Sequence, residues 1–180
     1  MLFQSGKLKV RELENKDAAL LAKWLLNPAV LEFYEGRDCS FDLEKVRDVF
    51  FTSDSGETRC IVLFEDQEIG YIQFYELAKS DCYNFGLDIS DIIYGTDQFI
   101  GEPEYWNKGI GQILMRSMLD YLLGQKGADL VVVDPQTWNE RAIACYAKVG
   151  FTKYKLLPKH EWHEGELRDS WLMQYKAKKC

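Results

Sequence analysis

The chain alternates between two hydrophobic periods, and the places where one gives way to the other divide it into elements. Residues 7–13 alternate polar and apolar side chains, as a half-buried strand does. Over 17–26 the period lengthens: Ala18, Leu21, Ala22 and Leu25 recur at helical spacing, with Asn15 placed to cap the helix and Pro28 to close it. Residues 30–37 form a short aromatic-rich turn or helix, and 42–51 predict another short helix with Leu43, Val46, Val49 and Phe50 on one side. The strand-like runs 58–65 and 68–76 flank Asp66 and Gln67, which predicts a hairpin. Residues 79–90 are polar, contain a glycine and read as a loop. Residues 92–100 are strand-like but interrupted by Gly95, the signal of a bulge or of a group lying close on the backbone.

The second half has longer elements. A helix running on to Gln125 carries Ile110, Ile113, Leu114, Met118, Tyr121 and Leu122 as its buried stripe and is stopped by Gly124 and Gly127. Residues 130–133 are apolar without alternation, as in a strand covered on both faces. Asn139 caps a helix over 140–149 that Gly150 ends, and 151–157 and 169–175 are closing strands around a polar excursion at 160–166. This order predicts a mixed α/β sheet in one layer with helices on its faces. With no linker, repeat or low-complexity tract, residues 1–180 read as a single domain.

Composition narrows the classes of function. Of 180 residues, 47% are hydrophobic and 28% charged, with a net charge of −7, so a nucleic-acid footprint is excluded and any charged ligand is expected to be cationic. Acidity as a plain feature of soluble proteins is the alternative. No apolar run approaches the roughly 20 residues of a membrane span, and residues 1–6 are too short and polar for a signal peptide, so a cytoplasmic protein without membrane partners is expected. Five cysteines, Cys39, Cys60, Cys82, Cys145 and Cys180, stand singly without a CxxC pair and read as reduced thiols. His160 and His163 with Glu161 and Glu164 lack the helical HExxH pattern, so a solvated loop without a metal is expected.

Chemistry concentrates at Trp106-Asn107-Lys108-Gly109-Ile110-Gly111. Two glycines one residue apart, preceded by a lysine and followed by a helical run, describe a tight loop opening into a helix N-terminus. There the first backbone N–H groups lack intrahelical acceptors and the macrodipole is positive, so a phosphate can bind main chain directly. A plain turn before a helix has the same spacing.

The loop, the Asn139 helix with Arg141, Ala142 and Tyr146, Gly150-Phe151 and the strand before the loop together resemble the GNAT acetyltransferases. That family binds acetyl-CoA with a Gln/Arg-x-x-Gly-x-Gly/Ala loop; here Trp106 stands where Gln or Arg is usual. A narrower likeness to aminoglycoside 6′-N-acetyltransferases runs through segments 30–38, 69–75 and 94–103, Asp134-Pro135 and 160–165. It is nearest to the acetyltransferase half of the bifunctional acetyltransferase-phosphotransferase resistance enzyme, with the kinase half missing.

The resemblance implies a GNAT-like, mostly antiparallel central sheet flanked by helices, and acetyl transfer from acetyl-CoA to the 6′-amine of an aminoglycoside by a monomer or weak homodimer. It places Asp97 as the carboxylate that receives or relays the amine's proton and Tyr146 as the group that protonates the departing thiolate. It assigns Phe99, Ile100, Lys108, Gly109, Ile110, Gly111, Asn139, Ala142 and Tyr146 to acetyl-CoA, and Tyr34, Gln73, Tyr75, Asp97 and Asp134 to the aminoglycoside. A strand-end Asp97 satisfying backbone donors, a core Tyr146 and a turn-forming Asp134-Pro135 are the structural alternatives. Two other functions are compatible with the residues: a GNAT enzyme for another amine, such as a protein N-terminus, and a non-catalytic acyl-CoA-binding module.

Overall fold

The computed structural model describes residues 1–52 and 56–177; Cys180 lies outside the described residues. Eight strands form one sheet in the order β1-β2-β3-β4-β5-β6-β8-β7: β1 Phe3–Ser5, β2 Leu8–Glu12, β3 Thr58–Phe64, β4 Gln67–Glu76, β5 Ile93–Ile100, β6 Leu130–Val133, β7 Thr152–His163 and β8 Glu166–Lys176. The sheet is mostly antiparallel and flanked by helices, as the resemblance implies. β5 and β6 run parallel, in the register Ile93↔Leu130, Tyr94↔Val131 and Gly95↔Val132, and β6 pairs antiparallel with β8. All four residues of β6 are buried, which accounts for its unbroken apolar run. The helices are α1 Ala18–Leu25, α2 Pro28–Leu31, α3 Leu43–Arg47, α4 Lys79–Phe85, α5 Ile110–Gln125 and α6 Glu140–Val149.

Contacts divide the chain into two compact units, Met1–Gln73 with Gln98–Ile110 and His163–Glu166, and Phe74–Asp97 with Gly111–Trp162 and Leu167–Cys180. In the first, β1 and β2 form an additional amino-terminal hairpin, Phe3 opposite Val10, and α1 buries Ala18, Leu21, Ala22, Trp24 and Leu25. Asn15 does not cap this helix. A 3-10 turn over Asn15–Asp17 precedes it, closed by a reciprocal pair: the Glu14 side chain accepts from the Asp17 backbone, and the Asp17 carboxylate accepts from Glu14 N–H. Asp17 also takes both arms of Arg11 at 2.7 and 2.8 Å, which ties α1 to β2. The 42–51 helix is shorter than expected: α3 is capped by Asp42 and followed by a π turn, Asp48–Thr52, so Val46 and Phe50 are buried while Leu43 and Val49 are exposed. The 58–76 hairpin forms, its turn made by Glu65 and Asp66, both in the left-handed region.

In the second unit, residues 79–85 are helical where a loop was expected; a single buried side chain, Cys82, is too little to show a period. The stripe of α5 is Ile110, Leu114, Met115, Met118, Leu119 and Leu122, whereas Ile113 is 40% exposed. Asn139 caps α6 through a hydrogen bond from Ala142 N–H, as expected. The 160–166 excursion is mostly strand: β7 runs to His163 and β8 starts at Glu166, with Glu164 and Gly165 forming the turn. β7 lies at the sheet edge and is exposed at every residue except Leu157 and His163, so it reads as polar.

Candidate active site

In the first unit, several of the expected site residues meet on an aromatic cluster. Phe99 stacks on Tyr71 at 5.5 Å and meets Tyr34 at 4.7 Å and the edge of Trp24 at 6.0 Å between ring centroids. The Tyr71 hydroxyl donates to Gln73 Oε1 at 2.7 Å, so Tyr34, Phe99 and Gln73 share one neighbourhood. Trp106, the departure from the family's loop, donates from Nε1 to the Ile100 carbonyl at 2.8 Å and sets its edge against Phe33. It fixes the end of β5 and walls the cluster. Glu102 accepts from Trp24 Nε1 at 2.9 Å and from Lys23; burial pushes its carboxyl up, but these two donors outweigh burial and hold it below the ordinary value.

The chain then turns sharply. Asn107 and Gly109 both have positive φ, 58° and 77°, and α5 begins at Ile110. A Cβ at Gly109 would have nothing within 4 Å, so the space beside that residue is open. Bare N–H groups at a helix start suit a phosphate. Lys108 is exposed, its ammonium 5.6 Å from the Tyr105 ring centre.

In the second unit, a Cβ at Gly95 would lie 2.7–2.9 Å from Tyr75 ring atoms and hydroxyl. The glycine interrupting the strand pattern is therefore a close approach, not a bulge. Asp97, two residues on, presents its side chain to that same face, so Tyr75 and Asp97 share a face. The pairing of β5 with β6 ends at Gly95↔Val132. Asp97 and Asp134 each stand two residues past that last pair, toward the carboxyl ends of parallel strands, where ligands of open α/β sheets bind.

Asp134 Oδ2 lies 2.9 Å from His160 Nε2, and the His160 ring meets Phe85 of α4 edge-on at 6.0 Å. Beside them, Trp138 Nε1 donates to Gln136 Oε1 at 2.5 Å, and Gln136 Nε2 to Glu161 Oε2 at 2.9 Å. On α6, Tyr146 is half-buried, its ring 5.8 Å from Phe151. Gly111 opens the first turn of α5 close to α6: a Cβ there would sit 3.4 Å from the sulfur of Cys145, the residue before Tyr146. Burial pushes that thiol up. Among the described residues no group of three or more His, Cys, Asp or Glu is placed to hold a metal, and no helix is long and apolar enough to cross a membrane.

Against this geometry, the sequence model of the acetyltransferase (GNAT) domain matches residues 14–158. The chain belongs to the GNAT acetyltransferase family. The GNAT chain is 26% identical over 152 residues to "Aminoglycoside N(6')-acetyltransferase type 1" of Klebsiella pneumoniae, covering 83% of this chain and 76% of that one. Its fold resembles that of aminoglycoside acetyltransferase AAC(6')-Ib, solved with coenzyme A and kanamycin, at TM-score 0.74, 22% identity and 94% coverage of each chain. It also resembles spermidine N-acetyltransferase from Vibrio cholerae, solved with CoA and spermine, at TM-score 0.76, 18% identity and 96% coverage of each chain. The protein is thus a GNAT-type acetyltransferase related to the aminoglycoside 6′-acetyltransferases. The contacts of His160, Glu102 and the Gln136–Glu161 pair escape local sequence patterns, because each joins residues 25 or more positions apart.

Proposed function

We propose that this GNAT acetyltransferase moves an acetyl group from acetyl-CoA to the 6′-amine of an aminoglycoside, the amine attacking the thioester directly within a ternary complex, and so confers resistance. The observation that carries this reading is the 26% identity with an aminoglycoside N(6′)-acetyltransferase across 83% of the chain. The two carboxylates past the parallel strand pair supply its chemistry. A polyamine needs acidic partners, and Asp97 and Asp134 present them in a chain of net charge −7.

Acetyl-CoA supplies an activated acyl thioester. In this reading the main-chain N–H groups of Gly109, Ile110 and Gly111 bind its pyrophosphate, with Lys108 adding charge and with Phe99, Ile100, Asn139 and Ala142 as further contacts. Asn139 Oδ1 already accepts from Ala142 N–H in capping α6, so these two residues act through the position of the helix start. Asp97 receives or relays the proton that the substrate ammonium must lose before its nitrogen can attack. Tyr146 returns a proton to the thiolate, a phenol near 10 donating to a thiol near 8.5, which is only mildly uphill. Tyr34, Gln73, Tyr75 and Asp134 bind the aminoglycoside. The whole chain serves as one cytoplasmic acetyltransferase domain.

A second reading keeps the transfer and changes the amine: the spermidine acetyltransferase shares the fold and was solved with a linear polyamine. Thiol release from acetyl-CoA, measured with kanamycin, spermidine and a peptide with a free N-terminus, separates the readings. Turnover with kanamycin at least tenfold above the others is expected. Preference for spermidine or the peptide selects another amine, and acetyl-CoA binding without release by any of the three reduces the protein to a binding module.

A further inference from the structure

The strand segment that patterning leaves as a polar loop places a histidine on a carboxylate to which the reading above gives a substrate amine. His160 Nε2 and Asp134 Oδ2 are 2.9 Å apart, and their side chains are 28% and 38% exposed, so the pair is reachable from solvent. No second hydrogen-bond partner of the Asp134 carboxylate occurs among the described residues, which leaves Oδ1 open to an incoming donor.

Around this pair, among the described residues, the one further charge acting on the ring is that of Glu161. From α4 the ring meets Phe85, which carries no charge, and Lys155 of β7 spends its ammonium on the carbonyls of Asn84 and Phe85 at 3.3 and 3.5 Å. Glu161, next along β7, is held by Gln136 Nε2, and Asp169 of β8 accepts the backbone N–H of Lys159 at 2.8 Å. Asp134 is the acidic group in direct contact with the imidazole.

We propose that His160 sets the charge that Asp134 offers to a polyamine. With a protonated ring the pair is neutral overall, and an ammonium approaching Oδ1 meets an imidazolium behind the carboxylate. With a neutral ring Nε2–H still donates to Oδ2, the hydrogen bond persists, and the pair carries one full negative charge. His160 is a positioning and charge-setting residue that acts through Asp134; it need not touch the substrate. The hydrogen bond and charge of Asp134, with a smaller push from the charge of Glu161, outweigh partial burial and raise the ring above the ordinary histidine value of 6.5. Below that raised value the site is neutralised, and as pH rises through it the site gains its charge and its affinity for cations. For exposed charges a few ångströms apart the change is on the order of tenfold. Linkage requires the converse: a bound polyamine lowers the pH at which His160 titrates by the same factor, about one pH unit.

This inference rests on the assignment of Asp134 to the substrate amine, and two variants separate the claims. His160→Gln keeps a donor for Oδ2 and removes the titratable charge; Asp134→Asn removes the carboxylate. Kanamycin binding is measured calorimetrically at about pH 6 and about pH 8.5, on either side of an imidazole's range. Because the amines of kanamycin titrate too, each variant is compared with wild type at the same pH. His160→Gln is expected to bind about tenfold more tightly than wild type at the lower pH and equally at the higher, where Asp134→Asn binds more weakly than both. The chain has only two histidines, so the His160 resonance is identified by its loss in His160→Gln, and in wild type it should titrate about one unit lower with kanamycin bound. A weak Asp134→Asn together with a His160→Gln that tracks wild type at both pH values overturns the role of His160 alone. An Asp134→Asn that binds normally, or a protein that does not bind kanamycin at either pH, overturns both claims.

Discussion

Asp97 and Tyr75 share a face of β4 and β5 that residue 95 leaves open by having no side chain; a Cβ there would lie 2.7–2.9 Å from the Tyr75 ring and hydroxyl. The tyrosine can then pass close over the strand while the carboxylate two residues on stands on the same side. Asp97→Asn keeps the shape and removes the proton acceptor. If Asp97 receives the amine's proton, turnover falls by about 10²-fold or more while acetyl-CoA affinity barely changes. The loss is partly recovered at high pH, where free amine is abundant, so kcat against pH for both proteins checks the assignment. Near-normal kcat for Asp97→Asn at neutral pH passes the role to Asp134 or to a water chain.

At the scale of elements, the start of α5 and the start of α1 answer to different tests. Gly109 adopts φ 77°, so a side chain there strains the loop whatever it does to a ligand. Gly111 has no such φ and meets only the Cys145 sulfur at 3.4 Å, so Gly111→Val is the cleaner probe. CoA affinity is expected to drop at least tenfold in a protein that still folds; unchanged affinity by calorimetry removes the loop from the binding site. At α1, burial pushes the Asp17 carboxyl up, but the Arg11 hydrogen bonds and the Glu14 N–H more than compensate, and its folded value lies below the ordinary one. The stabilisation is therefore complete above the unfolded carboxylate value near 3.9 and is lost as pH falls through the folded value. Asp17→Asn should cost about 2 kcal/mol in urea unfolding at neutral pH, because it weakens the charged hydrogen bonds of a partly buried Arg11 that keeps only Glu68 as a carboxylate partner, and the deficit should shrink in acid.

These two starts also mark what could be read from the chain. The α6 cap at Asn139, its stop at Gly150 and the buried run of β6 were legible because each is a local signal, a capping side chain or an unbroken apolar stretch. The α1 start was misplaced, since Arg11 turns Asp17 into the organising residue and that pairing lies outside any local pattern. The α4 helix was invisible because it buries one side chain, and the end of β7 because an exposed strand has no apolar period. The glycine loop was legible as a helix entry, and the roles given to Asp97, Tyr146 and Asp134 came from resemblance. The partner of Asp134 needed the fold of a hairpin 26 positions away.

Over the whole molecule, the acidic balance and the long sheet act together. A net charge of −7 favours a polycation at a distance, so if the substrate is the aminoglycoside proposed above, the Michaelis constant for kanamycin should rise with added salt more steeply than that for acetyl-CoA. A sheet of eight strands also ends in two open borders. One is the three-residue β1, too short to template a neighbour; the other is the twelve-residue β7, long enough to do so. Along β7, Lys153 and Lys155 add charge, Pro158 withdraws a donor, and Lys159 bends into the left-handed region with its N–H given to Asp169. Such devices keep a border strand from pairing with another chain. The doubly altered Lys153→Thr, Pro158→Val protein should keep its fold by circular dichroism and yet scatter light increasingly as it is concentrated, more than the parent chain does; equal scattering by the two would show that the border strand needs no such protection.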